Sequence, residues 1–183
     1  MELIEGLHSR VSALKLSAPG PTSEQLKIIM SAALRAPDHG RLKPWRFVVL
    51  EGDARAKLGE AMAQMLRKKA PHCSDAQLDA ERGKPMRAPT IIVVAARIMK
   101  GKIPEIEQIA SVAAGVQNMF LAAHALGIGA MWKTGGAAYE AEVKTRLGLQ
   151  PEDHIVAFLY LGTIVTPGTV VPISLDTALI DAK

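Results

Sequence analysis

The stretch from Ile103 to Leu126 sets the hardest constraint on what this chain can become. It is long, apolar around most of its circumference, and opened by Pro104, a residue that suits the first turn of a helix and not its interior. Such a segment predicts a central helix buried on several sides. Gly127, Ile128 and Gly129 then close it, because glycine accepts the left-handed geometry in which helices commonly end. Pro104, Glu105, Glu107, Gln108, Gln117, Asn118 and His124 interrupt the run, so it lacks the unbroken apolar length that a bilayer demands. A chain of 183 residues fits one domain, 1–183, large enough to bury roughly 70% of its unfolded surface. It can hardly cover this helix alone, and a dimer is predicted.

Around that helix the punctuation is regular. Leu3, Ile4, Leu7 and Val11 follow helical spacing, which brings Arg10 and Ser12 to a helix end or the turn beyond. Ser17 to Pro21 reads as linker, and Thr22 with Gln25 forms a capping box for a helix running to Arg35. Trp45 to Leu50 is a short strand of bulky residues, and Gly52 and Asp53 lead from it into a helix ending near Lys69. Ser74 with Gln77 caps a further helix, and Thr90 to Ala96 reads as a strand buried on both faces. Ala130 to Trp132 is a short strand, Glu140 to Leu147 a helix, and Ile155 to Leu161 the last strand. From Gly162 to Pro172 no periodicity remains, and an arm lying on a neighbour is predicted. Helices alternating with buried strands imply α+β or α/β architecture around one central sheet.

Charge and composition narrow the function classes. The net charge is +4, but the basic residues are scattered apart from Arg67, Lys68 and Lys69, which suit a solvated helix C-terminus. Aromatics make up only 4% of the chain, and no nucleic-acid module is present, so a polymer partner is not predicted. The lone Cys73 excludes an internal disulfide and suits a reducing compartment, hence the cytoplasm. The first residues are too acidic and too briefly apolar for a signal peptide. Gly127, Ile128 and Gly129 fail the dinucleotide fingerprint because Trp132 stands where its third glycine would fall. Neither Gly83, Lys84 nor Gly101, Lys102 completes a P-loop, no two histidines share helical pair spacing, and no nucleophile elbow occurs.

What remains is a set of cations near hydroxyls and exposed amides. Arg35 to Phe47 concentrates Arg35, His39, Arg41, Lys43 and Arg46 between a helix and a strand, with Pro37 and Pro44 biasing Ala36 and Lys43 towards extended geometry. Asp38 there reads as a turn-stabilising side chain, Trp45 as core and His124 as a hydrogen-bonded core residue. Arg10, Arg35, Arg41, Lys43 and Lys133 are suited to phosphate, with Ser12, Thr134, Gly135 and Gly136 offering hydroxyls and close backbone approach. This set suits a flat cofactor with a phosphate tail. Reducing a flavin puts negative charge on its N1 and C2 carbonyl side, which cations and amides stabilise, while N5 stays open for hydride.

These residues resemble the nitroreductase family of FMN enzymes, most closely its small YdjA-like subgroup, along essentially the whole chain. The matching pieces are Arg10-Val11-Ser12, Arg35 through Phe47, Lys102-Ile103-Pro104 with Glu107 and Gln108, Ala122 through Gly135, and Phe158 through Thr163. The resemblance implies a nitroreductase-like α+β fold, a central mixed and mainly antiparallel sheet flanked by helices, and a homodimer with two FMN sites at its interface. It implies electron transfer from NAD(P)H through flavin N5 to a nitroaromatic, quinone or similar small acceptor by a ping-pong mechanism. A flavin-binding protein without turnover, or a flavoenzyme of the same fold with a non-nitro substrate, is the alternative. Arg10 and Ser12, with Val11 between them, are implied at the phosphate end. Arg35 and His39 are implied as contributions from the partner subunit, and Trp132, Lys133, Thr134 and Gly135 as the segment lining the isoalloxazine. Departures from the broad family fall at Val11 and Leu14, where it often carries basic residues, and at Lys43, where it carries Gln. Its late phosphate-binding cations also lack counterparts between Thr163 and Ala182, which shifts the phosphate onto Arg10 and Lys133.

Overall fold

The computed structural model describes residues 2–172. Its elements in chain order are α1 (Leu3–Ser9), β1 (Lys15–Ser17), α2 (Ser23–Ala33), β2 (Trp45–Glu51), α3 (Asp53–Lys69) and α4 (Asp75–Gly83). There follow β3 (Thr90–Ala96), α5 (Glu105–Ala125), β4 (Gly129–Lys133), α6 (Ala141–Arg146) and β5 (His154–Thr166). Both predicted capping boxes are formed, Thr22 with Gln25 on α2 and Ser74 with Gln77 on α4. The sheet runs β1-β5-β3-β2 with β4 also on β5, and its four pairings among the described residues are all antiparallel, where a mixed, mainly antiparallel sheet was expected. That pattern decides for α+β, since parallel strands with crossover helices are what α/β would require.

The two faces of the sheet separate two cores. On β3 the side chains of Ile92, Val94 and Ala96 join α2 and α5 residues such as Ile29, Val112, Val116 and Met119, whereas Ile91, Val93 and Ala95 join Leu58 and Met62 of α3. Every β3 residue is buried, as a run apolar on both faces predicts. α2 and α5 approach closely: a Cβ on Gly115 would stand 3.1 Å from the Ala33 carbonyl oxygen, and Asn118 Nδ2 donates to the Ala32 carbonyl at 3.2 Å.

Some local readings differ from the structure. β5 does not stop at Leu161 but continues to Thr166, pairing with β1, which occupies part of the predicted linker. Gly162 permits this, because a Cβ there would meet Pro89 Cδ and the Ser17 carbonyl at 2.7 Å each. Beyond it, Gly168 lies against Ser12 of its own chain, and the end past Pro172 lies outside the described residues. Lys43 is not extended but takes φ +52°, as Arg41 takes +54°, because the Asp38 carboxylate accepts from the N–H groups of both Leu42 and Lys43. As the sequence implies, α5 is not covered on all sides by its own chain. Ile106 is 69% exposed, and Ala110, Ala114 and Gln117 continue an exposed stripe at three- and four-residue spacing.

Candidate functional site

β4 and the turn after it organise the main cleft. Alternation along the strand sends Ala130 and Trp132 into the α2–α5 core and leaves Met131 and Lys133 on the opposite face. There they line a cleft of about 310 Å³ together with Thr134, Gly135 and Gly136. Gly135 has φ +68° and ψ −176°, a conformation essentially closed to residues with a side chain. A Cβ on it would meet nothing within 4 Å, and its N–H donates to no described backbone group. The chain thus holds an open amide and a cation side by side at the cleft.

The opposite wall comes from residues remote in sequence. Met62 and Met65, one turn apart on α3, supply polarisable apolar surface, and Leu14 and Leu16 add to it from the N-terminal segment. The helical turn Lys84–Arg87 brings two more cations, Lys84 paired with Glu81. Tyr160 of β5, opposite Met131 in the strand register, is 6% exposed and completes the lining. Burial pushes its phenol up to about 12, with the nearby Arg87 charge acting in the other direction. Lys84, Arg87 and Tyr160 are site residues the sequence reading did not single out. The available signal was the two-residue period of β5, which places Tyr160 on the same face as Phe158.

The remaining predicted residues lie elsewhere. Trp132 turns its indole into the core, where Nε1 donates to the Val156 carbonyl at 3.0 Å, so only its backbone belongs to the cleft-side segment. Arg10 caps α1 and sets its guanidinium 5.1 Å from the centroid of the Phe120 ring. With Val11 and His124 it lines a second cavity of about 210 Å³, separated from the first by Ala13, which lines both. Ser12 is half-buried, adjacent in sequence to Val11 and Ala13. His124 is half-buried and hydrogen-bonded to Ser9 Oγ at 3.0 Å. Trp45 is core, 8% exposed, with its Nε1 buried and unpartnered.

Arg35 and His39 are exposed beyond the C-terminus of α2. His39 Nδ1 meets Glu107 Oε2 at 2.5 Å in the first turn of α5, whereas Ser9 and Arg10 stand by His124 in its last turn. At roughly 1.5 Å per residue, Glu107 and His124 are about 25 Å apart along the helix axis. Within one chain the structure therefore joins Lys133, Thr134 and Gly135, sets Arg10, Val11 and Ser12 next to them, and holds Arg35 and His39 apart.

Among the described residues no group of histidine, cysteine, aspartate and glutamate is arranged for a metal ion, and no helix is long and apolar enough to cross a membrane.

Comparison with known proteins gives this arrangement a context. The model of the nitroreductase family matches residues 7–163. The "Putative NAD(P)H nitroreductase YdjA" of Escherichia coli K12 is 40% identical over 164 residues, covering 89% of this chain and 88% of that protein. A similarly named protein of Haemophilus influenzae is 33% identical over 165 residues, covering 89% of each. Among solved structures, a nitroreductase-like family protein from Bacillus cereus superposes with TM-score 0.82 at 23% identity, covering 100% of this chain and 97% of its own. A nitroreductase with bound FMN from Bacteroides fragilis gives 0.74 at 20% identity, covering 100% and 99%. The chain belongs to the nitroreductase family.

Proposed function

We propose that the protein is an FMN-dependent oxidoreductase that takes electrons from NAD(P)H and passes them to a nitroaromatic, quinone or similar small acceptor by a ping-pong mechanism. Its relatives' names carry the nitroreductase activity and the nicotinamide donor, and a structural neighbour carries bound FMN. The observation that carries the reading here is the donor set of the main cleft: Lys133, Lys84 and Arg87 beside the open Gly135 amide, between apolar walls. Those groups fit a flat ring that gains negative charge on reduction. FMN supplies the hydride acceptor and donor at N5 when bound. The protein's part is placement and polarisation. Met62, Met65 and Leu14 give apolar surface for the ring, the three cations offset charge at its edge, and Gly135 offers an N–H that needs no side-chain rearrangement.

Arg10 and Ser12 take the phosphate end, with Val11 between them. Ala13, shared by both cavities, marks the passage from the ring to that end. A cation already stacked on Phe120 is held in position for a phosphate oxygen.

The site is completed in a homodimer. A two-fold axis across the exposed stripe of α5 sets the two helices antiparallel, so the first turn of one lies against the last turn of the other. His39 and Arg35 of one chain are thereby carried towards Arg10 of its partner, across the roughly 25 Å that separates these ends in a single chain. Exposed Leu3, Ile4 and Leu34, each at least half accessible, supply further apolar surface for the contact. The lone free thiol, Cys73, accords with a cytoplasmic enzyme.

The test is a flavin spectrum of the purified protein, followed by NADPH and NADH oxidation with and without a nitroarene or quinone. Bound FMN and acceptor-dependent oxidation are expected. Bound FMN without turnover would make this a flavin-binding protein, and a colourless protein that takes up no FMN would overturn the reading.

A further inference from the structure

We infer that the Tyr160 hydroxyl donates a hydrogen bond to the flavin in the main cleft, making Tyr160 a cofactor-binding residue that helps set the reduction potential. The inference rests on the FMN reading above and extends it to a residue on the floor of the cleft.

A phenol on a central strand ordinarily has its hydroxyl satisfied within the fold or out in solvent. The Tyr160 hydroxyl has no partner within the described fold and keeps access to the cleft. The residue is 6% exposed, sits between Ile91 on one side and Met131 on the other, and lines the cleft. Its hydroxyl is bonded to no described residue, yet it is not among the buried polar atoms sealed off without a partner. A buried side chain that lines a cleft and leaves its polar end unpartnered in the described fold is placed to bond what the cleft holds. The charged neighbours on the other elements are Arg87, Lys84 with its partner Glu81, and Lys133.

The direction of the bond follows from the phenol's chemistry. Burial keeps it protonated through the working range, so it enters the cleft as a neutral donor. The ring edge of an isoalloxazine offers carbonyl oxygens as acceptors, and these gain negative charge on reduction. A fixed donor there favours the reduced form over the oxidised one. Lys84 alone would do so more strongly, but Glu81 offsets part of its charge, which leaves the neutral donor a measurable share.

Tyr160→Phe removes one oxygen and keeps the ring that packs in the core. The test compares wild type and Tyr160→Phe for melting temperature of the apoprotein, FMN affinity by quenching of flavin fluorescence, and midpoint potential by equilibration with reference dyes. The expected result is an apoprotein that folds as the wild type does, FMN bound about three- to tenfold more weakly, and a midpoint shifted to more negative potential. Equal affinity and an equal potential would overturn the inference while leaving the FMN reading intact. Wild type that takes up no FMN would overturn both.

Should Tyr160→Phe fail to fold, the wild-type chain still decides. It has two tyrosines, Tyr160 and the 74% exposed Tyr139. Grown with 3-fluorotyrosine and assigned through Tyr139→Phe, the protein gives separate fluorine resonances. The Tyr160 resonance is expected to move in step with FMN occupancy, and a resonance unmoved at saturating FMN would overturn the inference.

Discussion

Arg10 ends α1 with its guanidinium over the Phe120 ring and no ion-pair partner among the described residues, so its charge is held in place and unspent. Replacing it by alanine is expected to weaken FMN binding by about 1.5 to 3 kcal/mol, the scale of a charge-assisted hydrogen bond, with little change in folding stability. An FMN titration checks this, and unchanged affinity would remove Arg10 from the site. Tyr160 makes a separate prediction in the apoprotein. Its phenol is raised from 10.0 to about 12, so the native state keeps the proton where the unfolded chain gives it up. The resulting stability is fully present below about pH 10 and is lost as pH rises through about 12, on the order of 3 kcal/mol in all. Denaturant unfolding at about pH 9 and about pH 11 should show wild type losing more stability than Tyr160→Phe, and parallel losses would contradict it. Single residues were legible in sequence where their role is local, as with the Asp38 turn and the buried Trp45. The face that Trp132 takes is set by strand register and not by its sequence neighbours.

Among the elements, those whose signal lies within a few residues were the readable ones. Two capping boxes, the buried run of β3 and the Pro104 start of α5 all carry their reason in local chemistry. β1 and the end of β5 escaped because Pro19, Gly20, Pro21 and Gly162 dominate the local reading, while the pairing that orders them is long-range. The same cause hid Lys84 and Arg87, which the α3–α4 pair carries to a cleft organised by β4. That helix pair depends on one glycine. A Cβ on Gly59 would stand 2.4 Å from the backbone carbonyl oxygen of Arg82, which cannot rotate away. Gly59→Ala gains up to about 1 kcal/mol of helix propensity, but overpacking against backbone costs about 1 to 3 kcal/mol. Net destabilisation is expected, with loss of FMN affinity as the Lys84 and Arg87 wall moves. A variant as stable as wild type in denaturant unfolding would show that α4 is free to shift.

For the whole molecule, we propose that each site draws on two chains. The sequence pointed to a dimer through α5, and the structure shows an exposed stripe along that helix with implied site residues at its two ends. The most direct measurement is subunit mixing. Arg10→Ala and Arg35→Ala homodimers, each shown to be deficient in FMN binding and NADPH oxidation, are exchanged under mild denaturant and assayed against unmixed controls. If the two arginines serve one flavin from opposite subunits, a mixed dimer has one site with both defects and one with neither. Bound FMN and activity are therefore predicted to return on mixing. No recovery after verified exchange would mean that every site keeps one defect, and would contradict the shared site.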